Sequence, residues 1–588
     1  MDQPMDNTDM IGNTLQKFYF GIISCFFSII VAGSVLGTAG LYKPEYVFPL
    51  VIISSLLIFV FLSRIRNIKG SQLLIEKDSQ ERVSSDYFVY LITFAIILLL
   101  ILVPIIRWPE SIAGDWFPWD AGKYHFPKAV EMVRSGSAND MTIAYSEYPF
   151  GYESLLSFCI LLTGDASLFG WLHALIDLFF ILSFWLLARR VTKINASSLL
   201  FLITLLILSN YFFRFLNLWQ VFQPEMTTVG KNDLLLASSI LTVLYFYPYP
   251  RSEDVVEQKY FVVGVAGMIA LSVKPNAVYL LAPLWTILGG SILFKWVRNG
   301  FEATKSSTTS FIFASIIMIP GVIWLLRNLI ITKKIFSEYV IEASKWSIAA
   351  NLTNPYFYEY IPKNLILIIG LAVMMLLLSI KVTKYRWYVG IFLLLIFGFI
   401  LTPVTAFFLR TDVPAVINWR FGEALLAYIF IMLLLLINDS LREFSWREKI
   451  KVKTDRLRVF CVLIIAMGVI WSQILVLQKK PENAIILKDQ FRESVGVDGY
   501  YSAYDYVQKN VRNSVVWVEN GLPYYVYGPD YTNTVSRKTS ADYIVVIKTD
   551  WFGDGTMQIP NYFDPVLWED SYQVVYEDPH GVVFALRK

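Results

Sequence analysis

The sequence predicts a polytopic α-helical membrane protein with a small α/β domain at its C-terminal end, and three observations carry that prediction. Of 588 residues, 56% are hydrophobic and only 16% charged, and the mean hydropathy is +0.53, which is too apolar for soluble domains of this size. The apolar residues gather into runs such as 90–106, 199–213, 365–380 and 391–402, which approach the roughly 20 residues that cross hydrocarbon at about 1.5 Å per residue. Beyond about residue 480 the composition changes to short β-type runs separated by turn residues.

Taken in order, residues 1–16 are polar and acidic, with a single Lys17 before the first apolar run. They lack a basic n-region and a cleavage site, so the first run reads as a retained span. Spans are expected near 17–38, 47–63, 87–106, 166–188, 197–214, 231–248, 260–273, 276–293, 309–326, 362–381, 386–409, 422–438 and 458–477, about thirteen in all. Basic clusters favour the cytoplasmic side. With the N-terminus inside, Arg64–Lys69, Arg189–Lys193, Lys295–Lys305, Lys381–Arg386 and Arg447–Arg458 all fall there. Two places decide this topology. The stretch Leu155–Leu162 is too short to span and reads as interfacial or re-entrant, and the run Phe261–Phe294 breaks at Lys274 and Pro275 into two short spans.

The outside loops are then 107–165, 215–230, the turn at 274–275, 327–361, 410–421 and everything after 478. The chain divides into a membrane body, 1–478, and an extracytoplasmic α/β domain, 479–588. The tail predicts a helix over Ser502–Val511 and strands over Val515–Val518, Tyr543–Ile547, Tyr572–Tyr576 and Val582–Leu586. A net charge of +3, with the basic residues scattered between apolar runs, excludes a nucleic-acid partner. Cys25, Cys159 and Cys461 sit inside apolar segments and read as small buried hydrophobes.

Chemistry-bearing residues concentrate in the first outside loop, Gly114 through Lys128. Pro127 suits the first turn of a helix and Gly136 its end. Ala129, Val130 and Val133 lie on one face and Lys128, Glu131 and Arg134 on the other, an amphipathic helix fit for the interface. Asp120 precedes it. In an arbitrary loop such an aspartate most often closes a turn with its own backbone, and His125 is most often a helix-packing side chain. Cations recur on the same side of the membrane: Lys274 in its turn, Arg327 at the end of an outward span, and Arg420 at the start of an inward one. Each alone also suits a snorkelling anchor. A second acid, Asp233, follows Gly230, Lys231 and Asn232 at a span entrance, where helix capping is the competing role. Asp115, Asp120, Glu225 and Asp233 supply the hard oxygens that a divalent cation such as Mg or Mn takes, although no spacing demands one. Trp116, Trp119, Tyr356 and Tyr358 suit sugar stacking or an ordinary aromatic belt.

The pattern Asp120, Tyr124, His125, Pro127, Gly136, followed by Tyr148, Pro149, Gly151, Tyr152 and Glu153, resembles the first extracytoplasmic loop of GT-C glycosyltransferases, the class of the protein O-mannosyltransferases, the aminoarabinose transferases and their bacterial relatives. Ala121 stands where the O-mannosyltransferases carry the second acid of an Asp-Glu pair. The resemblance implies an inverting enzyme of the bacterial plasma membrane with its site outside. Such an enzyme moves a sugar from a polyprenyl-phosphate donor to a glycan, lipid or protein acceptor. It further implies Asp120 as general base, Asp233 as a second catalytic acid, and Tyr124, His125, Glu153, Lys274, Arg327 and Arg420 as substrate-binding residues. The alternatives are a polysaccharide polymerase or ligase, which favours a large later loop rich in Arg and His, and a lipid or glycan transporter, which needs ionisable residues in mid-span; Asp177 and Glu423 are the few candidates for that.

Overall fold

A computed structural model describes residues 7–64, 83–110, 120–143, 145–192, 194, 196–208, 229–248, 256–302, 304–336, 341, 344–352, 370, 373, 377, 385–407, 416–443, 500–519, 521–528, 530–536, 541–548, 571–578 and 581–587. Apolar runs become helices because lipid and a dry core both require every backbone group to be satisfied within its own segment. In chain order the helices are α1 (Asn7–Ala32), α2 (Pro44–Ser63), α3 (Val83–Glu110), α4 (Phe126–Ser135), α5 (Gly151–Thr163), α6 (Phe169–Thr192) and α7 (Ala196–Leu208). After these come α8 (Asp233–Phe246), α9 (Val256–Val273), α10 (Ala277–Asn299), α11 (Lys305–Met318), α12 (Ile323–Thr332), α13 (Arg386–Leu401), α14 (Glu423–Glu443) and α15 (Tyr500–Asn510).

Seven segments among the described residues are long and apolar enough to cross a membrane: Leu15–Gly37, Pro44–Ser63, Val89–Ile106, Phe169–Thr192, Ala277–Asn299, Lys305–Thr332 and Trp419–Asp439. Each coincides with an expected span. Three further expected spans, 231–248, 260–273 and 386–409, are apolar helices of lesser length. The 14 residues of α8 reach only about 21 Å at 1.5 Å each, short of the roughly 30 Å of hydrocarbon. The expected span 197–214 is helical over Ala196–Leu208, and those at 362–381 and 458–477 lie outside the described residues. Among the described residues, then, seven of the thirteen expected spans satisfy both length and composition. Helix α2 leaves Ile52, Ile53, Leu56 and Leu57 mostly uncovered, an apolar face that suits lipid rather than water.

The break at Lys274 and Pro275 is present, with α9 ending at Val273 and α10 starting at Ala277. Helix α5, at 13 residues, is likewise too short to cross. Between α6 and α8 a polar seam closes on itself: the Tyr19 hydroxyl lies 2.7 Å from Thr242 Oγ1 and 3.1 Å from Ser183 Oγ. Helix α4 ends where expected, at Gly136 in the left-handed conformation (φ 71°). Its polar face, expected at the interface, is exposed at Arg134 but buried at Lys128 and Glu131. Lys128 and Glu131 are 8% and 5% exposed, because α5 packs on one side and the C-terminal region covers the other, where the Tyr527 hydroxyl donates to the Pro127 carbonyl at 3.2 Å.

Two short antiparallel strands, β1 (Ala406–Phe407) and β2 (Val416–Ile417), lie between α13 and α14. The C-terminal sheet holds β3 (Val515–Glu519), β4 (Thr534–Val535), β5 (Tyr543–Ile547), β6 (Tyr572–Glu577) and β7 (Gly581–Leu586) in the order β4-β3-β5-β7-β6. Strands β4, β3 and β5 are parallel, and β7 and β6 add antiparallel. Alternation sets its two faces. Ile544, Val546, Val582 and Phe584 form one small core, while Val545, Ile547 and Val583 face the main one.

Candidate functional site

Four remote pieces of chain meet at one end of the helices. Asp120 opens the first piece and leads into a π-helical turn, Ala121–His125. The second piece is the turn Val229–Gly230 with Lys231, Asn232 and Asp233. Gly230 holds φ +101°, and a Cβ there would lie 2.3 Å from the Cβ of Ala121. Only glycine permits both the backbone conformation and this approach, which sets Lys231 beside Asp120. The third is the Lys274 turn, tied to the second by the Asn232 amide donating to the Val273 carbonyl at 3.3 Å. The fourth is the 3₁₀ turn Trp419–Gly422 before α14, anchored by Trp419 stacked on Phe399 with ring centroids 5.2 Å apart.

Arg420 joins these pieces. Its Nη2 donates to Asp120 Oδ2 at 2.7 Å and its Nε to Asp233 Oδ2 at 2.6 Å. Lys231 Nζ lies 3.4 Å from the same Asp120 oxygen, and Lys274 Nζ pairs with Asp233 Oδ1 while resting 4.8 Å from the centroid of the Phe421 ring. Three cations thus face two carboxylates, a surplus of positive charge that favours an anion. The site is graded in access. Asp233 has 1% of its side chain exposed and Asp120 has 23%, so Asp120 meets solvent and Asp233 holds the cations from behind. Burial by itself raises the Asp120 carboxyl, but Arg420, then Lys231 and His125, overcome this and hold it well below the usual carboxylate range.

A second cluster adjoins the first. His125 Nδ1 lies 3.0 Å and Lys128 Nζ 3.1 Å from Glu153 Oε1. Burial would raise the Glu153 carboxyl, yet Lys128 and His125 hold it down at about 2. Burial lowers His125 despite Glu153 and Asp120. Tyr124 stacks obliquely on His125, with centroids 4.2 Å apart, and its hydroxyl is pushed up, first by burial and then by Asp120.

Asp120, Asp233, Lys274 and Arg420, all expected together, are in one network, and Tyr124 and His125 line its side. Arg327 is not part of it. Its guanidinium donates to the carbonyls of Ala138 (2.9 Å) and Ser146 (2.5 Å), with Tyr148 at 3.4 Å, and packs 4.7 Å from the Phe150 ring centroid. Its donors are engaged by backbone carbonyls between Ala138 and Tyr148, so the structure does not bring Arg327 together with Asp120 and Asp233. Glu153 is likewise set back from the network. It is 1% exposed and pairs with His125 and Lys128. Lys231 is a further cation of the site, not among those expected from the sequence, and its place between Gly230 and Asp233 is the signal that points to it.

Among the described residues no group of three or more His, Cys, Asp or Glu is arranged to hold a metal ion. The carboxylates of Asp120 and Asp233 face side-chain cations, and Asp115, Glu225, Trp116, Trp119, Tyr356 and Tyr358 lie outside the described residues. The C-terminal region reaches the site directly: Lys123 Nζ donates to the Gly521 carbonyl at 3.0 Å, and a Cβ on Gly122 would lie 3.2 Å from Leu522 Cδ1. Comparison with models of protein families, with characterised proteins and with solved structures finds no match to this chain.

Proposed function

We propose that the chain is a GT-C-like membrane glycosyltransferase, moving a sugar from a polyprenyl-phosphate donor in the bilayer to a glycan, lipid or protein acceptor on the extracytoplasmic side of a bacterial plasma membrane. The observation that carries this reading is the Arg420 guanidinium shared between Asp120 and Asp233, with Lys231 and Lys274 at its flanks. A polyprenyl-phosphate sugar needs an apolar approach for its tail, cations for its phosphate and a carboxylate for the incoming hydroxyl; the helices, the three cations and the accessible Asp120 supply them. In the reaction the acceptor oxygen bonds to the anomeric carbon as the bond from that carbon to the phosphate oxygen breaks. The electron pair leaves with polyprenyl phosphate, neutralised by Arg420 and Lys274, and attack from the opposite face inverts the centre. Asp120 accepts the hydrogen bond of the acceptor hydroxyl and draws off its proton, help of a kind worth about 10²- to 10⁴-fold in rate.

The test supplies detergent-purified protein with a panel of polyprenyl-phosphate sugars and follows donor binding and release of free polyprenyl phosphate. Wild type is expected to bind one donor and release its lipid phosphate slowly to water, and Asp120→Asn to bind it while losing about 10²- to 10⁴-fold in release. Failure to bind any donor, or a fully active Asp120→Asn, removes the reading. A transporter is the second reading, favoured by the buried pair in α6, where Asp177 Oδ1 lies 3.7 Å from His173 Nε2 with both side chains at most 1% exposed.

A further inference from the structure

The network that suits Asp120 to an anion site also makes it a poor resting place for a proton. A carboxylate held far below its ordinary range by Arg420 and Lys231 releases a captured proton at once, whereas an efficient base has a pKa near the working pH. The transferred proton needs another acceptor close by.

The backbone places one there. Five residues along an α-helix, at 3.6 per turn, separate two side chains by about 140° around the axis. The turn Ala121–His125 is instead π-helical, with the Phe126 N–H bonded to the Ala121 carbonyl. Its i→i+5 bonding widens the turn, so position 125 comes nearer to position 120 around the axis than an α-helical turn would bring it, and such turns gather at functional sites. The two groups also act on each other's charge: His125 is among the groups that lower Asp120, and Asp120 among those that raise His125.

The imidazole is also oriented. Ionised Glu153 has only acceptors to offer, so the ring nitrogen 3.0 Å away, Nδ1, carries the hydrogen. Nε2 is then a bare lone pair. It is buried, on a residue 2% exposed, and has no hydrogen-bond partner among the described residues. A buried acceptor without a partner is costly for a fold and suits a group whose partner arrives during turnover.

From this geometry we infer that His125 is a catalytic residue of the proposed transfer, its Nε2 taking from Asp120 the proton of the acceptor hydroxyl, with Glu153 as its positioning residue. The inference rests on the glycosyl-transfer reading. In balance, the acceptor O–H breaks, its oxygen keeps the pair that bonds to the sugar, the proton passes through Asp120 to Nε2, and the imidazolium returns it to water after product leaves. Charged and titratable groups facing the ring are Asp120 and Tyr124 on its own turn, Lys128 on α4, and Glu153 and Tyr152 on α5. Arg420 and Lys231 lie beyond Asp120.

The experiment follows hydrolysis of the bound polyprenyl-phosphate sugar against pH, since water as acceptor also gives up a proton. Neutral His125 is the active form and burial lowers its pKa, so release rises with pH through a limb centred below 6.5 and is flat above it. His125→Gln is expected to abolish that limb and lower the plateau about 10²-fold or more. Glu153→Gln removes a charge that raises His125 and moves the limb to lower pH. A limb that persists in His125→Gln overturns the inference while leaving the transferase reading intact; absence of any hydrolysis by wild type removes both. Nitrogen-15 NMR of the imidazoles gives a readout independent of turnover, because the chain has only three histidines and His125→Gln identifies the signal. A ring hydrogen on Nδ1 with unprotonated Nε2 at pH 7 is expected. A hydrogen on Nε2 at that pH overturns the inference.

Discussion

Arg420, in the 3₁₀ turn before α14, and Arg327, in the middle of α12, are both nearly enclosed, and in the sequence both suit a phosphate. They differ in what they hold. Arg327 faces backbone carbonyls of a single loop, neutral acceptors that no ligand can replace without unmaking the loop. Arg420 faces two carboxylates from different parts of the chain, and an anion can share or displace those contacts at little cost to the fold. An arginine bound to carbonyls is part of the scaffold; one bound to carboxylates remains available for exchange.

Three substitutions sharpen or break this contrast. The largest effect is expected of Arg420→Gln, which removes the shared guanidinium. Binding of sugar-free polyprenyl phosphate, measured by titration, should weaken about 30- to 5,000-fold, corresponding to loss of a buried charge pair of about 2–5 kcal/mol. Arg327→Met should do the opposite. It leaves the carbonyls of Ala138, Ser146 and Tyr148 without this donor and lowers unfolding stability by about 1–3 kcal/mol, read from a thermal or denaturant transition, while titration finds polyprenyl-phosphate affinity nearly unchanged. Equal weakening of ligand by both arginine variants would dissolve the distinction. Lys231→Met is the mildest: at 3.4 Å and partly exposed, Lys231 contributes about 1 kcal/mol, or roughly five-fold in affinity, and that difference should shrink as salt is raised.

Much of this architecture is legible in residue order. Apolar runs mark the helices, short β-type runs between turn residues mark β3, β5 and β7, and Lys274–Pro275 marks a helix break, because each is a local property. Asp120, Asp233, Lys274 and Arg420 are legible as polar exceptions at the ends of apolar runs on one side. Arg327 satisfies the same description, and only tertiary contact tells it apart, since its acceptors are carbonyls that every loop possesses. The polar face of α4 misleads for a related reason: Lys128 and Glu131 would suit water, but Glu153 and the C-terminal region cover them first. The π-turn at 121–125 leaves no mark in composition, because it is a matter of hydrogen-bond register. Lys274 and Arg420 reach the acids, and so does Lys231, whose place between Gly230 and Asp233 is legible in the sequence but whose approach to Asp120 depends on Gly230 folding against Ala121.

The contact from Lys123 to the Gly521 carbonyl spans 398 positions of chain. At the usual synthesis rate of about 5–20 residues per second, the first partner waits about 20–80 s for the second to be made. Until then Gly122 has no Leu522 to pack against, and the turn that carries Asp120 and His125 lacks its cover. The helices can assemble as they emerge, whereas the turn is completed only by the last fifth of the chain. A product that ends before Gly521 therefore lacks the partners of Lys123 and Gly122, and the turn at the site is left without its cover.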